Sequence, residues 1–282
     1  MAATLAPLSN QSTLLSGQRI AYGKHGQGTP VILVHGTPTA SLIWRNVVPS
    51  LVHAGFEVYT FDLLGYGLSE RPRDPSVDTS ITAQVSVLEG LLKNWELEQK
   101  KFHIRFAILS PGRANIVSIA MIDCVSFDSY PSALTLQMMQ RGFESLLRAS
   151  DQDHRAHFRE WLLSAVHNKA EFEQGALGAY IDYISGPIGQ PSLVQHQIKH
   201  YDPKHTLEVS ERYHELAQFP IKLIWGEHDA WQKLPWAYRL QSAIPGASLD
   251  VVPEAGHFSI EDRPEEINTI LKTHFQSLEL RS

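Results

Sequence analysis

The stretch Pro30-Val31-Ile32-Leu33-Val34-His35-Gly36-Thr37-Pro38 decides the architecture of this chain. Pro30 to Val34 is an apolar run rich in β-branched side chains, and it ends abruptly in His-Gly. A short, wholly apolar run bounded by turn residues fits a strand buried on both faces, as in a parallel sheet. The residues that follow agree. Ser41 to Ala54 shows helical spacing through Leu42, Trp44 or Arg45, Val48 and Leu51, and it stops at Gly55. Phe56 to Phe61 is a second buried strand, closed by Asp62 and a turn carrying Gly65 and Gly67. Ile81 to Leu97 is helical again, with Val85, Leu88, Leu91 and Leu92 on one face. Strand, helix, strand, helix is the alternation of a parallel sheet with crossover helices.

Working outward, Ser12 to Gly26 alternates and breaks at glycines, which predicts a hairpin or two short strands. Phe102 to Ile104 opens a third parallel strand, and Ile116 to Ile122 is a fourth that ends at Asp123. From Ser132 to about Phe219 the pattern turns helical, over 132–149, 153–168, 171–185, 192–200 and 206–217. Strands resume at Ile221–Trp225 and Ser248–Val252, and an amphipathic helix spans Pro264–Phe275. An all-helical block between strands reads as an insertion covering one edge of the sheet. The expected division is a core of residues 1–126 and 220–282 with a helical cap at 127–219.

Composition narrows the function. Hydrophobic residues make up 43% of the 282 and charged ones 19%, enough for one full globular core. A net charge of −6 gives no electrostatic reason to bind nucleic acid or an anionic membrane. No apolar stretch approaches the roughly 20 residues of a membrane helix. Met1 to Ser12 lacks the basic start and apolar run of a signal peptide, and Leu280-Arg281-Ser282 matches no common address signal. The lone Cys124 cannot form an internal disulfide. A cytoplasmic protein acting on a small molecule is expected. No cofactor is implied, and no His-x-x-x-His or clustered acidic spacing marks a metal site.

Three points at or beyond strand ends carry chemistry, where open α/β sheets bind ligands. At His35-Gly36-Thr37-Pro38, backbone N–H groups of Gly36 and Thr37 can point at a developing oxyanion, although a glycine–proline turn also serves merely to redirect the chain. At Gly226-Glu227-His228-Asp229, a carboxylate can orient an imidazole. Aspartate is common in turns for its own reasons, and Glu227 competes for the role. At Ala255-Gly256-His257-Phe258, a histidine just past a strand end suits a general base. The chain has 14 histidines, so His257 stands out by order alone: oxyanion turn, then acid, then a late histidine.

With those stretches in view, the chain resembles the α/β-hydrolase superfamily, in particular the capped group of haloalkane dehalogenases and epoxide hydrolases. The matching segments are Val31–Leu51, Phe61–Pro72 (FDLLGYGLSERP), Ile221–Trp231 (IKLIWGEHDAW) and Val251–Ile267 (VVPEAGHFSIEDRPEEI). The resemblance implies an α/β-hydrolase fold, a mostly parallel sheet flanked by helices with an inserted cap. It also implies catalytic roles for His257 and Asp229, an oxyanion hole at Gly36 and Thr37, and a structural turn role for Asp62. The dehalogenases' halide-binding asparagine after His-Gly is replaced by Thr37, which weakens the dehalogenase reading.

The family's nucleophile sits on a tight glycine-flanked turn, G-x-S-x-G or H-D-x-G-G, between a strand and its helix. It is due after Phe102-His103-Ile104, but the chain runs on into Arg105-Phe106-Ala107-Ile108-Leu109-Ser110-Pro111-Gly112. Against the family pattern about a dozen residues are missing. Ser110 is the remaining candidate nucleophile. It lacks the glycine two positions earlier, and Pro111 removes an N–H where the second oxyanion donor belongs. Asp123 is an alternative acid, and Cys124 reads as a small buried apolar residue. A thiol- or metal-dependent enzyme finds no support. Two readings remain. One is a hydrolase acting on a small apolar ester, epoxide or carbon–halogen substrate, its cap helped by aromatics such as Trp161, Tyr180, Tyr183 and Trp236, residues that individually are more often core than pocket. The other is an inactive protein of the same fold, or a truncated gene model without the elbow.

Overall fold

The computed structural model describes residues 5–98, 102–105, 116–140 and 142–279. Its strands are β1 (Gln11–Leu15), β2 (Gln18–Gly26), β3 (Thr29–Val34), β4 (Phe56–Phe61), β5 (Phe102–Arg105), β6 (Ile116–Ile122), β7 (Ile221–Gly226) and β8 (Ser248–Val252). Among the described residues they form one sheet in the order β1-β2-β4-β3-β5-β6-β7-β8. The first two strands are antiparallel to their neighbours and the rest run parallel. The expected α/β-hydrolase sheet is therefore present. Its order reverses at β3, with β4 on one side and β5 on the other, and the carboxyl ends flanking such a reversal form a crevice.

Val31, Ile32 and Leu33 are wholly buried, as an unbroken apolar strand in mid-sheet requires. Alternate residues feed two cores. Val31, Leu33 and Val58 pack with Trp44, Leu51 and Phe275 on one face, while Ile32, Tyr59 and Phe61 meet Leu88, Leu91 and Leu240 on the other. The covering helices are α1 (Val48–His53) and α2 (Gln84–Asn94) early in the chain. Between β6 and β7 come α3 (Ala133–Met139), α4 (Phe143–Arg148), α5 (Asp151–Leu163), α6 (Lys169–Gln174), α7 (Leu177–Ile184), α8 (Gly186–Ser192) and α9 (Lys204–Ser210). The chain ends with α10 (Leu234–Ala243), α11 (Ser259–Asp262) and α12 (Pro264–Glu279).

Several helices break where sequence spacing predicts continuity. The span 41–54 divides into a 3-10 turn at Ser41–Trp44 and α1. Pro49 has no N–H for an i−4 bond, so the helix restarts with proline in its first turn. The span 132–149 breaks at Gly142, whose φ of +77° is left-handed, and 171–185 breaks at Gly175.

Asp62 is structural, as the resemblance implies. Its Oδ1 accepts from Ser41 N at 2.7 Å and its Oδ2 from Leu68 N at 2.8 Å, closing the turn after β4. β5 is four residues long against six in β3 and seven in β6, and its pairing with β6 shifts register between Phe102 and His103. Only residues 106–115 join these two parallel strands, fewer than the dozen or so that a helical crossover takes.

Candidate active site

The turn after β7 carries Asp229 and the loop after β8 carries His257, and one glycine lets the two segments meet. A Cβ on Gly226 would stand 2.1 Å from the Gly256 carbonyl oxygen, and the Glu227 and His228 N–H groups donate to Val252 and Ala255 oxygens at 2.9 and 2.8 Å. The two loops thus touch backbone to backbone. Gly226→Ala should destabilise the protein by about 3 kcal/mol, the upper range for overpacking a tight site. Urea denaturation followed by tryptophan fluorescence measures it.

Asp229 is buried, and its Oδ1 accepts from Trp231 N at 2.8 Å and Gln232 N at 2.7 Å. These bonds fix the carboxylate so that Oδ2 accepts from His257 Nδ1 at 2.9 Å. The structure brings Asp229 and His257 into contact. Glu227, the competing carboxylate, has a side chain 49% exposed and lies 3.8 Å from His228 instead.

The His257 loop is fastened from both sides. Asp262 accepts from Gly256 N, His167 N and Asn168 N, and Phe258 N donates to Ala165 O at 2.8 Å. The His257 ring packs against Trp231, centroids 4.9 Å apart, and Trp231 stacks on Trp161 at 4.4 Å and 17°. The two indole rings form a continuous aromatic wall beside the imidazole.

Across from it lies the turn after β3. His35 is buried, its Nε2 accepting from Leu63 N at 3.0 Å and its Nδ1 bonding Gly36 O at 2.9 Å. An N–H donor to Nε2 fixes the proton on Nδ1. His35 therefore holds the turn in shape. No heavy atom lies within 4 Å of a Cβ built on Gly36, which leaves room above the backbone there. The Thr37 hydroxyl contacts Gln197 Oε1 at 3.0 Å and the Tyr201 hydroxyl at 2.8 Å, both from the helical block.

A cavity of about 190 Å³ joins these elements at the carboxyl ends of the strands. Gly36, Thr37, His257, Trp231, Trp161 and Asp123 are among its walls. An apolar cavity of about 150 Å³ is known to take up benzene, so a compact ligand fits here. Burial pushes Tyr66 up to about 12 and lowers His196 to about 4, so both wall residues are neutral near pH 7.

Several sequence expectations are corrected. Of the four aromatics assigned to the pocket, only Trp161 lines it. Tyr180 is buried with its hydroxyl on Glu261, and Tyr183 and Trp236 lie outside the cavity wall. Cys124 is half-buried, packs against the second core and also lines the cavity. Ser110, the remaining candidate nucleophile, lies outside the described residues. Trp231, Tyr66, Tyr130, Gln197 and Tyr201 are wall residues that sequence reading missed. Trp231 was signalled only by its place two residues beyond Asp229. No group of three or more His, Cys, Asp or Glu among the described residues can hold a metal ion, and no helix there is long and apolar enough to cross a membrane.

Comparison with known proteins places this geometry. The sequence profile of the Alpha/beta hydrolase family matches residues 31–270. The chain is 22% identical over 288 residues to a cis-3-alkyl-4-alkyloxetan-2-one decarboxylase of Shewanella oneidensis, covering 97% of this chain and 90% of that protein. It is 40% identical over 62 residues to a haloalkane dehalogenase of Sphingobium indicum, covering 22% and 20% of the two chains. Among solved structures, an α/β hydrolase fold protein from Burkholderia ambifaria superposes with a TM-score of 0.82 at 27% identity, covering 95% of this chain and 98% of that one. By sequence over most of its length, and by a fold shared almost end to end, this chain belongs to the alpha/beta hydrolase family.

Proposed function

We propose that the chain is a hydrolase acting on a small, mostly apolar substrate at an ester, epoxide or carbon–halogen bond. His257 is the base, Asp229 its orienting carboxylate, and the backbone of Gly36 and Thr37 the oxyanion site. The observation that carries this reading is the 2.9 Å contact of His257 Nδ1 with an Asp229 carboxylate already anchored by two backbone N–H groups. With Nδ1 committed to Asp229, Nε2 is the nitrogen that takes a proton from the attacking group, and Asp229 stabilises the imidazolium that results. Residues 127–219 serve as the cap, with Trp161, Gln197 and Tyr201 closing the cavity over the sheet.

Within the substrate range, the ester end has the better support. Thr37 occupies the position of the dehalogenases' asparagine, and the Shewanella relative, named as a decarboxylase, acts on an alkyl-substituted four-membered lactone, itself a cyclic ester. A second reading, an inactive protein of this fold, is favoured by one observation: the connection 106–115 is shorter than the dozen or so residues that a crossover between parallel strands takes.

One experiment separates the two. Wild type and His257→Ala are assayed with p-nitrophenyl acetate, an alkyl oxetanone, a halide-release substrate and an epoxide. Turnover by the wild type that vanishes in His257→Ala supports the hydrolase. Equal signals from both proteins support the inactive fold.

A further inference from the structure

Asp123 is buried at the end of β6, 6% exposed, in the wall of the cavity. Its φ of +46° is a left-handed conformation that few non-glycine residues adopt, although Asp and Asn tolerate it better than most. Its Oδ1 accepts from Gly226 N at 2.8 Å, three residues before Asp229. Its Oδ2 accepts from Ser259 Oγ, two residues beyond His257. One carboxylate therefore holds the base of the acid-bearing turn and the start of the helix that follows the histidine.

The two bonds are not the whole relation. The charged groups facing Asp123 are Asp229, from the turn after β7, and His257, from the loop after β8. Burial pushes the Asp123 carboxyl up to about 7 and the Asp229 charge adds to that, while His257, the Ser259 hydroxyl and the Gly226 N–H work against it. Interaction between two ionising groups is reciprocal. If positive charge on His257 favours the Asp123 anion, the Asp123 anion favours protonated His257 by the same amount.

We propose that Asp123 is a positioning residue that brackets the Asp229–His257 pair, tying together the two segments that bear it. The inference rests on the reading of His257 as the base. It adds a third ionisable member that acts through the pair and does not itself receive the substrate's proton.

The test is an NMR titration of the His257 imidazole in ¹³C-histidine-labelled protein, its resonance identified by its loss in His257→Gln. In the wild type the His257 curve should depart from a single step, because its charge is coupled to that of Asp123. Asp123→Asn keeps an acceptor for Gly226 N and tolerance of the left-handed backbone, donates its amide N–H to Ser259 Oγ where the carboxylate accepted from it, and removes the charge. It should convert the curve to a single step with a midpoint about one pH unit lower. Ser259→Ala keeps the charged group but removes a donor to its anion, so the midpoint should fall in the same direction by less. An Asp123→Asn curve that superimposes on the wild type overturns the proposal. Should Asp123→Asn fail to fold, Ser259→Ala decides alone, and a curve identical to wild type overturns it. The titration needs no substrate. A shifted midpoint in a protein without turnover keeps the positioning role and removes the hydrolase reading, while turnover with unshifted titration does the reverse.

Discussion

Asp229→Asn should lower turnover on the order of 10⁴-fold while leaving the melting temperature close to that of the wild type. The size follows from which atoms Asp229 uses. Trp231 N and Gln232 N both donate to Oδ1. In the variant, those two N–H groups require the amide oxygen, so the amide nitrogen is turned toward His257. An N–H donor facing Nδ1 forces the imidazole proton onto Nε2, and the base then presents a proton where it needs a lone pair. The check is kcat on whichever ester the wild type turns over, with circular dichroism melts of both proteins. A fall of only a few-fold would mean that the Asp229 contact orients nothing the reaction uses.

Glu261→Ala should have the largest effect on stability, a loss of about 3 to 5 kcal/mol. Glu261 Oε1 accepts from Arg45 Nη1 and from the Tyr180 hydroxyl, both at 2.6 Å, and Oε2 accepts from Arg45 Nη2 at 2.6 Å. The side chains are 18% exposed for Arg45 and 4% for Glu261. Burial disfavours the Arg45 charge, yet the Glu261 carboxylate outweighs it and holds the guanidinium firmly protonated. Removing Glu261 strands that cation where water barely reaches and leaves the buried Tyr180 hydroxyl without its acceptor. The pair also joins the core segment at Arg45 to α7 in the helical block. A drop of about 10 °C or more in melting temperature is the expected reading. Arg45→Met with Glu261→Leu should recover part of it, because replacing both charges leaves no unpaired ion.

What the sequence could reveal depended on how local the cause was. Strands β3, β4, β6 and β7 were legible because an apolar run between turn residues buries itself in one way. Asp229 was legible because it lies in the turn after such a run, β7, and His257 by its order in the chain, after the His35 turn and Asp229. Asp62 was set aside as a turn residue only by the family resemblance, and its bonds to Ser41 N and Leu68 N agree.

The cavity wall was not legible. Gln197 and Tyr201 reach Thr37 from more than 150 residues away, and the phase of short helices interrupted at Gly142 and Gly175 does not reveal which face meets the sheet. Tyr180 looked like a pocket aromatic and is a core residue because Glu261, 81 residues later, takes its hydroxyl. The bracket formed by Asp123 was equally hidden. Its partners Gly226 and Ser259 lie 103 and 136 residues further along the chain, and only the order β6-β7-β8 makes them neighbours.

The most direct test is the pH dependence of kcat/KM for ester hydrolysis by the wild type and by His257→Ala, measured side by side from pH 5 to 9. If the imidazole is the base, the wild-type rate rises with pH through an ionisation that the variant lacks, and the variant stays at the background rate throughout. Two superimposable profiles would contradict the account, because any hydrolysis would then proceed without His257.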